Sequence, residues 1–151
     1  FKAVKGIGWY IEEYGVAQIS YNLTNINISP LHEVFDKTCE RSIARGMRVT
    51  GSELVGLVPK KVLIDAGKHF LKKQERSTGI NESEIIKIAR KTLGLDELAP
   101  FDPQERVIEY MLESNSNKPL VNMTLTNFAN ETASESPAPG GGSIAAYCGA
   151  M

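Results

Sequence analysis

An α+β fold is predicted by three features of this 151-residue sequence. Strand-like alternation occupies Val4–Ile26, capped amphipathic helices follow, and a run of small residues closes the chain. The order strand, strand, helix, strand, helices fits a ferredoxin-like split β-α-β subdomain lacking its first strand and helix. Extra C-terminal helices are expected after it, and then the first helices of an all-α domain.

Val4–Ile11 is the first strand candidate, with Gly6 and Gly8 ahead of Trp9 and Tyr10. Glu12–Gly15 turns the chain, so Val4–Ile26 reads as a β-hairpin. Ser29-Pro30 signals a helix, with Ser as N-cap and Pro at the first position. Leu31, Phe35, Cys39 and Ile43 form its stripe with Val34 beside them, and Gly46 stops it. Met47–Pro59 is expected as a third strand, because Leu54–Val58 is apolar on both faces like a central strand. Pro59 opens a helix with Val62, Leu63, Ala66 and Phe70 inward. Asn81 caps the next, Glu84 completes a capping box, Ile85, Ile86, Ala89 and Leu93 form the stripe, and Gly94 ends it. Asp102-Pro103 starts a helix running to about Leu112. The turn-forming stretch Ser114–Pro119 is the linker candidate. Leu125, Phe128 and Ala129 suggest a short helix, and Ser143 is expected to cap a small-residue one. Both ends read as cuts within a longer chain.

A formal net charge of −1 gives no argument for nucleic acid or an anionic membrane as partner. No apolar run approaches membrane-spanning length. Cys39 and Cys148 lack metal-ligand spacing, so no metal is expected. They fit buried thiols in a reducing, cytoplasmic compartment.

The stretch Gly15–Asn25 is the one most open to a functional reading. Ala17, Ile19, Tyr21 and Leu23 are expected to be buried, while Gln18, Ser20, Asn22 and Thr24 form a polar row without charge. Such amide and hydroxyl groups donate or accept as a polar ligand requires. A solvated face and a ligand-facing wall both fit that pattern. Glu53, at the mouth of the third strand, would be either paired with a cation or functional, since burying a lone carboxylate is costly. After Pro139, Gly140–Ser143 reads either as a turn for close helix packing or as an anion site at a helix start. It lacks the Lys of a nucleotide phosphate loop. His32, in a first helical turn, reads as a surface residue.

Gly8-Trp9-Tyr10, Ala17–Leu23 and Gly51–Pro59 resemble glutamate formimidoyltransferase, as do Gly94–Phe101 and Glu105–Tyr110. Phe128 followed by Pro137–Ala146 resembles the opening of the cyclodeaminase domain fused to it in bifunctional members. The resemblance implies that residues 1–113 are most of the C-terminal transferase subdomain, 114–122 a linker, and 123–151 the start of the cyclodeaminase helical domain. It implies transfer of a formimidoyl group from N-formimidoyl-L-glutamate to N5 of tetrahydrofolate, in histidine degradation. The cyclodeaminase would then form 5,10-methenyltetrahydrofolate and ammonia. Tetrahydrofolate, including polyglutamylated forms, is thus the expected co-substrate. A homo-oligomer is expected, together with an N-terminal transferase subdomain and the rest of the cyclodeaminase outside this sequence. The family's catalytic histidine belongs to that N-terminal subdomain, so neither His32 nor His69 inherits the role. No catalytic residue is expected here, and the chain alone should be inactive. The implied folate and substrate contacts are Gln18, Ser20, Asn22, Ser52 and Glu53, and Gly140, Gly141, Gly142 and Ser143 form the cyclodeaminase loop. The competing expectation is a non-catalytic α+β protein-interaction module.

Overall fold

Alternating residues at the start of the chain become a hairpin in the computed structural model. Strands β1 (Val4–Ile11) and β2 (Val16–Leu23) pair antiparallel across the turn closed by the Gly15 N–H on the Glu12 carbonyl. The structure describes residues 1–113, 120, 122–135 and 138–151, in two units, Phe1–Ser114 and Asn115–Met151. Most of the expected linker (114–119 and 121) and the first residues of the proline–glycine turn (136–137) lie outside the described residues.

Five helices follow in the first unit: α1 (Leu31–Ile43), α2 (Lys60–Lys73), α3 (Glu82–Leu93), α4 (Pro103–Arg106) and α5 (Ile108–Glu113). Their local signals are mostly realised. The Asn81 side chain accepts from the Ser83 N–H at 2.9 Å, and Asp102 accepts from the Gln104 N–H at the same distance. Gly94 ends α3 with φ +64, a torsion costly for other residues. Glu84, however, pairs with Lys87 rather than closing the expected capping box. The core lies between α2 and α3: Val62, Leu63, Ala66 and Phe70 meet Ile86, Ala89 and Leu93, with Val58, Leu95, Phe101 and Val107 around them. Gly67 permits the close crossing. A Cβ there would stand 2.2 Å from the Ile85 carbonyl oxygen.

The structure corrects several expectations. The Ser29 hydroxyl does not cap α1; it is buried and donates to the Lys2 carbonyl, while Pro30 occupies the cap position. Helix 103–112 is broken at Val107, which is extended and forms a parallel bridge with Val58. The Val58 N–H donates to the Arg106 carbonyl at 2.9 Å and the Ile108 N–H to the Val58 carbonyl at 3.1 Å. Two buried valines are thereby paired at the expense of helical continuity. The third strand is absent. Met47–Leu57 has no ladder partner among the described residues; its backbone makes single bonds instead, Met47 N–H to the Ser42 carbonyl and Ser52 N–H to the Gly94 carbonyl, and Val55 is 87% exposed. The inner face expected for β2 is likewise not buried: Ile19 and Tyr21 are exposed. Cys39 is half-buried and Cys148 exposed, both free thiols rather than buried ones.

In the second unit, Thr124 caps α6 (Leu125–Thr132), accepting from the Asn127 N–H. Helix α7 (Gly141–Ala150) packs beside it through Phe128 and Tyr147, ring centres 6.1 Å apart. Gly140, not Ser143, is its N-cap, and Ser143 lies inside the first turn. Among the described residues the fold is therefore α+β, a two-stranded antiparallel sheet with seven helices.

Candidate functional site

Pairing register decides what shares a face with the polar row of β2. Residues directly opposite each other on antiparallel strands point the same way. Trp9 stands opposite Gln18, Ile7 opposite Ser20, and Lys5 opposite Asn22. The other face carries Tyr10, Ala17, Ile19, Tyr21 and Leu23, with Gly6 opposite Tyr21 and Gly8 opposite Ile19. A Cβ on Gly6 would lie 3.0 Å from the Tyr21 ring, so the absent side chain makes room for it. The Tyr21 hydroxyl is hydrogen-bonded to that of Thr38 on α1 at 3.0 Å. That contact orients the ribbon: the Tyr21 face looks toward α1, and the Gln18–Ser20–Asn22 face looks away from it. Gln18 and Ser20 are half-buried and Asn22 is exposed.

Ser52 and Glu53 sit in irregular chain instead of at a strand mouth. The Ser52 hydroxyl donates to the Leu93 carbonyl at 2.7 Å and its N–H to the Gly94 carbonyl at 3.2 Å, so it ties this segment to the end of α3. The close contact of Gly51 with Gly94 serves the same junction, Gly51 Cα lying 2.8 Å from a Cβ built on Gly94. Glu53 is exposed and has no ion-pair partner among the described residues, so the burial penalty does not arise. No hydrogen bond among the described residues joins Ser52 or Glu53 to the β2 row.

Two concave places in the first unit lie elsewhere. One is lined by Glu33, Asp36, Cys39 and Lys73 among others, the second by Ile26, Leu31, His32 and Asp65. Between them sits a cluster that the sequence did not announce, because its hydrogen-bonded partners on α1 and α2 are 33 and 37 residues apart. His69 Nε2 lies 2.7 Å from Asp36 Oδ2, and Lys73 Nζ lies 2.8 Å from the same oxygen. The His32 ring stacks on His69 with centres 4.4 Å apart. His32 Nδ1 is buried with no hydrogen-bond partner among the described residues. Burial, reinforced by His69, pushes the His32 pKa below its ordinary value. At Asp36 burial acts upward, but the hydrogen bonds from Lys73 and His69 outweigh it and hold the carboxyl low. These contacts clamp α1 to α2. Among the described residues, no group of three or more His, Cys, Asp or Glu side chains is placed to hold a metal ion.

In the second unit, Gly140–Ser143 forms the opening turn of α7, the Ser143 and Ile144 N–H groups both donating to the Gly140 carbonyl. A Cβ at Gly141 or Gly142 would meet nothing within 4 Å, and neither residue has a positive φ. Neither close packing nor special torsion within this unit therefore requires glycine there.

Comparison with known proteins agrees with the motifs along the chain. The model of the formiminotransferase domain matches residues 1–113, and that of formiminotransferase-cyclodeaminase matches residues 124–151. The chain is 44% identical over 151 residues to the formimidoyltransferase-cyclodeaminase of Gallus gallus, with 99% of this chain and 28% of that protein aligned. Against the Mus musculus protein of the same name the identity is 43% over the same shares. With glutamate formimidoyltransferase of Thermoplasma acidophilum it is 31% over 83 residues, 55% of this chain and 26% of that protein. The chain thus spans about 28% of the length of the bifunctional relatives. With a domain match that takes in the hairpin, the helical core and the α3–α5 junction alike, this chain belongs to the formiminotransferase family.

Proposed function

We propose that this chain forms one wall of a folate site in an enzyme that moves the formimidoyl group of N-formimidoyl-L-glutamate to N5 of tetrahydrofolate. In the same reading, residues 123–151 open a cyclodeaminase that forms 5,10-methenyltetrahydrofolate and releases ammonia. Family membership supports the activity. The wall rests on one observation: the chargeless amide and hydroxyl row Gln18, Ser20 and Asn22 faces away from α1. Formimidoyl transfer requires N5 to attack an amidine-like carbon, lose its proton, and pass through a tetrahedral centre that needs donors around it. Neutral donors and acceptors suit the uncharged edge of the pterin, and Lys5, opposite Asn22, adds one cation at the end of the same face. Ser52 contributes by anchoring its segment to α3, beside which Glu53 is an exposed carboxylate available to the substrate. Two free cysteines accord with a reducing, cytoplasmic setting.

The test is kinetic, in the intact protein. Gln18→Ala and Asn22→Ala should each raise the KM for tetrahydrofolate by about 3- to 10-fold, the loss of one net hydrogen bond. Unchanged kinetics in both variants would remove the wall. For the second unit, Gly141→Val should impair deamination and spare transfer. Because a side chain at Gly141 meets open space, a selective loss would report the ligand and not a packing clash.

A further inference from the structure

We propose that Trp9 is the ring-binding residue of this folate wall, its indole stacking on the planar pyrimidinone ring while Gln18, directly opposite, meets the ring's amide edge. The inference rests on the proposed wall and adds to it a residue that only the strand register brings there. Trp9 is the one aromatic residue on the face it shares with Lys5, Ile7, Gln18, Ser20 and Asn22. It is 44% exposed, and its indole N–H has no acceptor among the described residues. Of the two aromatic residues on the opposite face, Tyr10 and Tyr21, the second is used differently: Tyr21 covers Gly6 and bonds Thr38. Trp9 has no such structural employment.

Opposed side chains in an antiparallel pair have Cβ atoms about 5 Å apart, so one ligand ring can touch both Trp9 and Gln18. An indole supplies a large, rigid stacking surface for a flat heteroaromatic ring. A carboxamide supplies one acceptor and two donors, the complement of a cyclic amide edge. The combination selects a flat ring bearing an amide edge over an aliphatic or purely anionic ligand. Ile7, opposite Ser20, extends the apolar floor along the ribbon.

In the intact protein, Trp9→Leu should raise the KM for tetrahydrofolate about tenfold or more, the usual effect of losing one ring stack, and leave the KM for formimidoyl-glutamate unchanged. Trp9→Phe should recover most of that loss, because it keeps a stacking face without the indole N–H. If Trp9→Leu leaves the folate KM unchanged while Gln18→Ala raises it, the wall stands and the assignment of Trp9 is overturned. If neither variant moves the folate KM, the wall itself has failed. A similar rise in both KM values with a matching fall in Tm for Leu and Phe alike would make Trp9 a packing residue and overturn the inference.

Discussion

The α2–α3 pair and the β1–β2 hairpin belong to the same unit, yet only the helices bury what they are made of. Leu63 and Ala66 from α2 and Ala89 from α3 have no exposed surface, and Gly67 brings the two backbones into contact. Each helix supplies the other's missing apolar neighbours, so two adjacent segments complete a core between them. The hairpin pairs all its residues from Val4↔Leu23 to Ile11↔Val16 and still leaves Ile7, Trp9, Tyr10 and Ile19 exposed. Hydrogen bonding satisfies the inner edges of a two-stranded ribbon but covers neither face. The lesson is that backbone pairing and side-chain burial are separate requirements. A ribbon meeting only the first has faces available for ligand, further strands or partner.

That contrast can be broken by stability measurements on the chain. Gly67→Ala should have the largest effect, about 3 kcal/mol in denaturant unfolding, because the added methyl meets the Ile85 backbone at 2.2 Å and neither helix can yield cheaply. A near-neutral result would mean that the helices are not locked together. Ser29→Ala should cost about 1 kcal/mol, since it leaves the Lys2 carbonyl without its buried donor. Faster hydrogen exchange of the hairpin amides, with α2 and α3 unaffected, would identify Ser29 as the tether of the ribbon. Ile7→Ala should change stability by no more than about 0.5 kcal/mol, as expected for a side chain 68% exposed. A loss as large as that of a core residue would show the hairpin face to be covered in solution.

The smallest effect is a change in pH dependence at the α1–α2 clamp. The groups facing His32 are Glu33 and Asp36 from α1, and Lys61, Asp65 and His69 from α2, with Lys73 on Asp36. Folding lowers the His32 pKa below 6.5, so the unfolded chain binds the proton more readily. The contribution is therefore complete above about pH 6.5 and is lost as the pH falls through the lowered value. Comparing unfolding midpoints at mildly alkaline and mildly acid pH, His32→Leu should flatten the decline seen in the native chain. An identical decline in both would place the acid sensitivity elsewhere.

Residues acting on near neighbours could be interpreted from sequence alone. Asn81, Asp102 and Gly94 act within one helical turn, and the stripes of α2 and α3 repeat at spacings set by the helix itself. The chargeless row of β2 was visible for the same reason, since alternation needs only one strand. Choices between distant partners were not legible. Ser29 had a local role as cap, but the remote Lys2 carbonyl claims its buried hydroxyl. Val107 had a helical pattern, but pairing with Val58 breaks the helix. Leu54–Leu57 had strand composition, but composition cannot supply a ladder partner.

By itself, then, the sequence determined the helices α1 to α3, the caps at Asn81 and Asp102, the stop at Gly94, the hairpin and the polar row of one strand, all consequences of contacts a few residues long. Only the tertiary structure decided that Trp9 shares that face, that Ser52 is bound to the end of α3, and that His32, Asp36, His69 and Lys73 form one clamp. Those outcomes depend on which remote groups meet, and the energy of a hydrogen bond, stack or ion pair exists only once its partner is within reach.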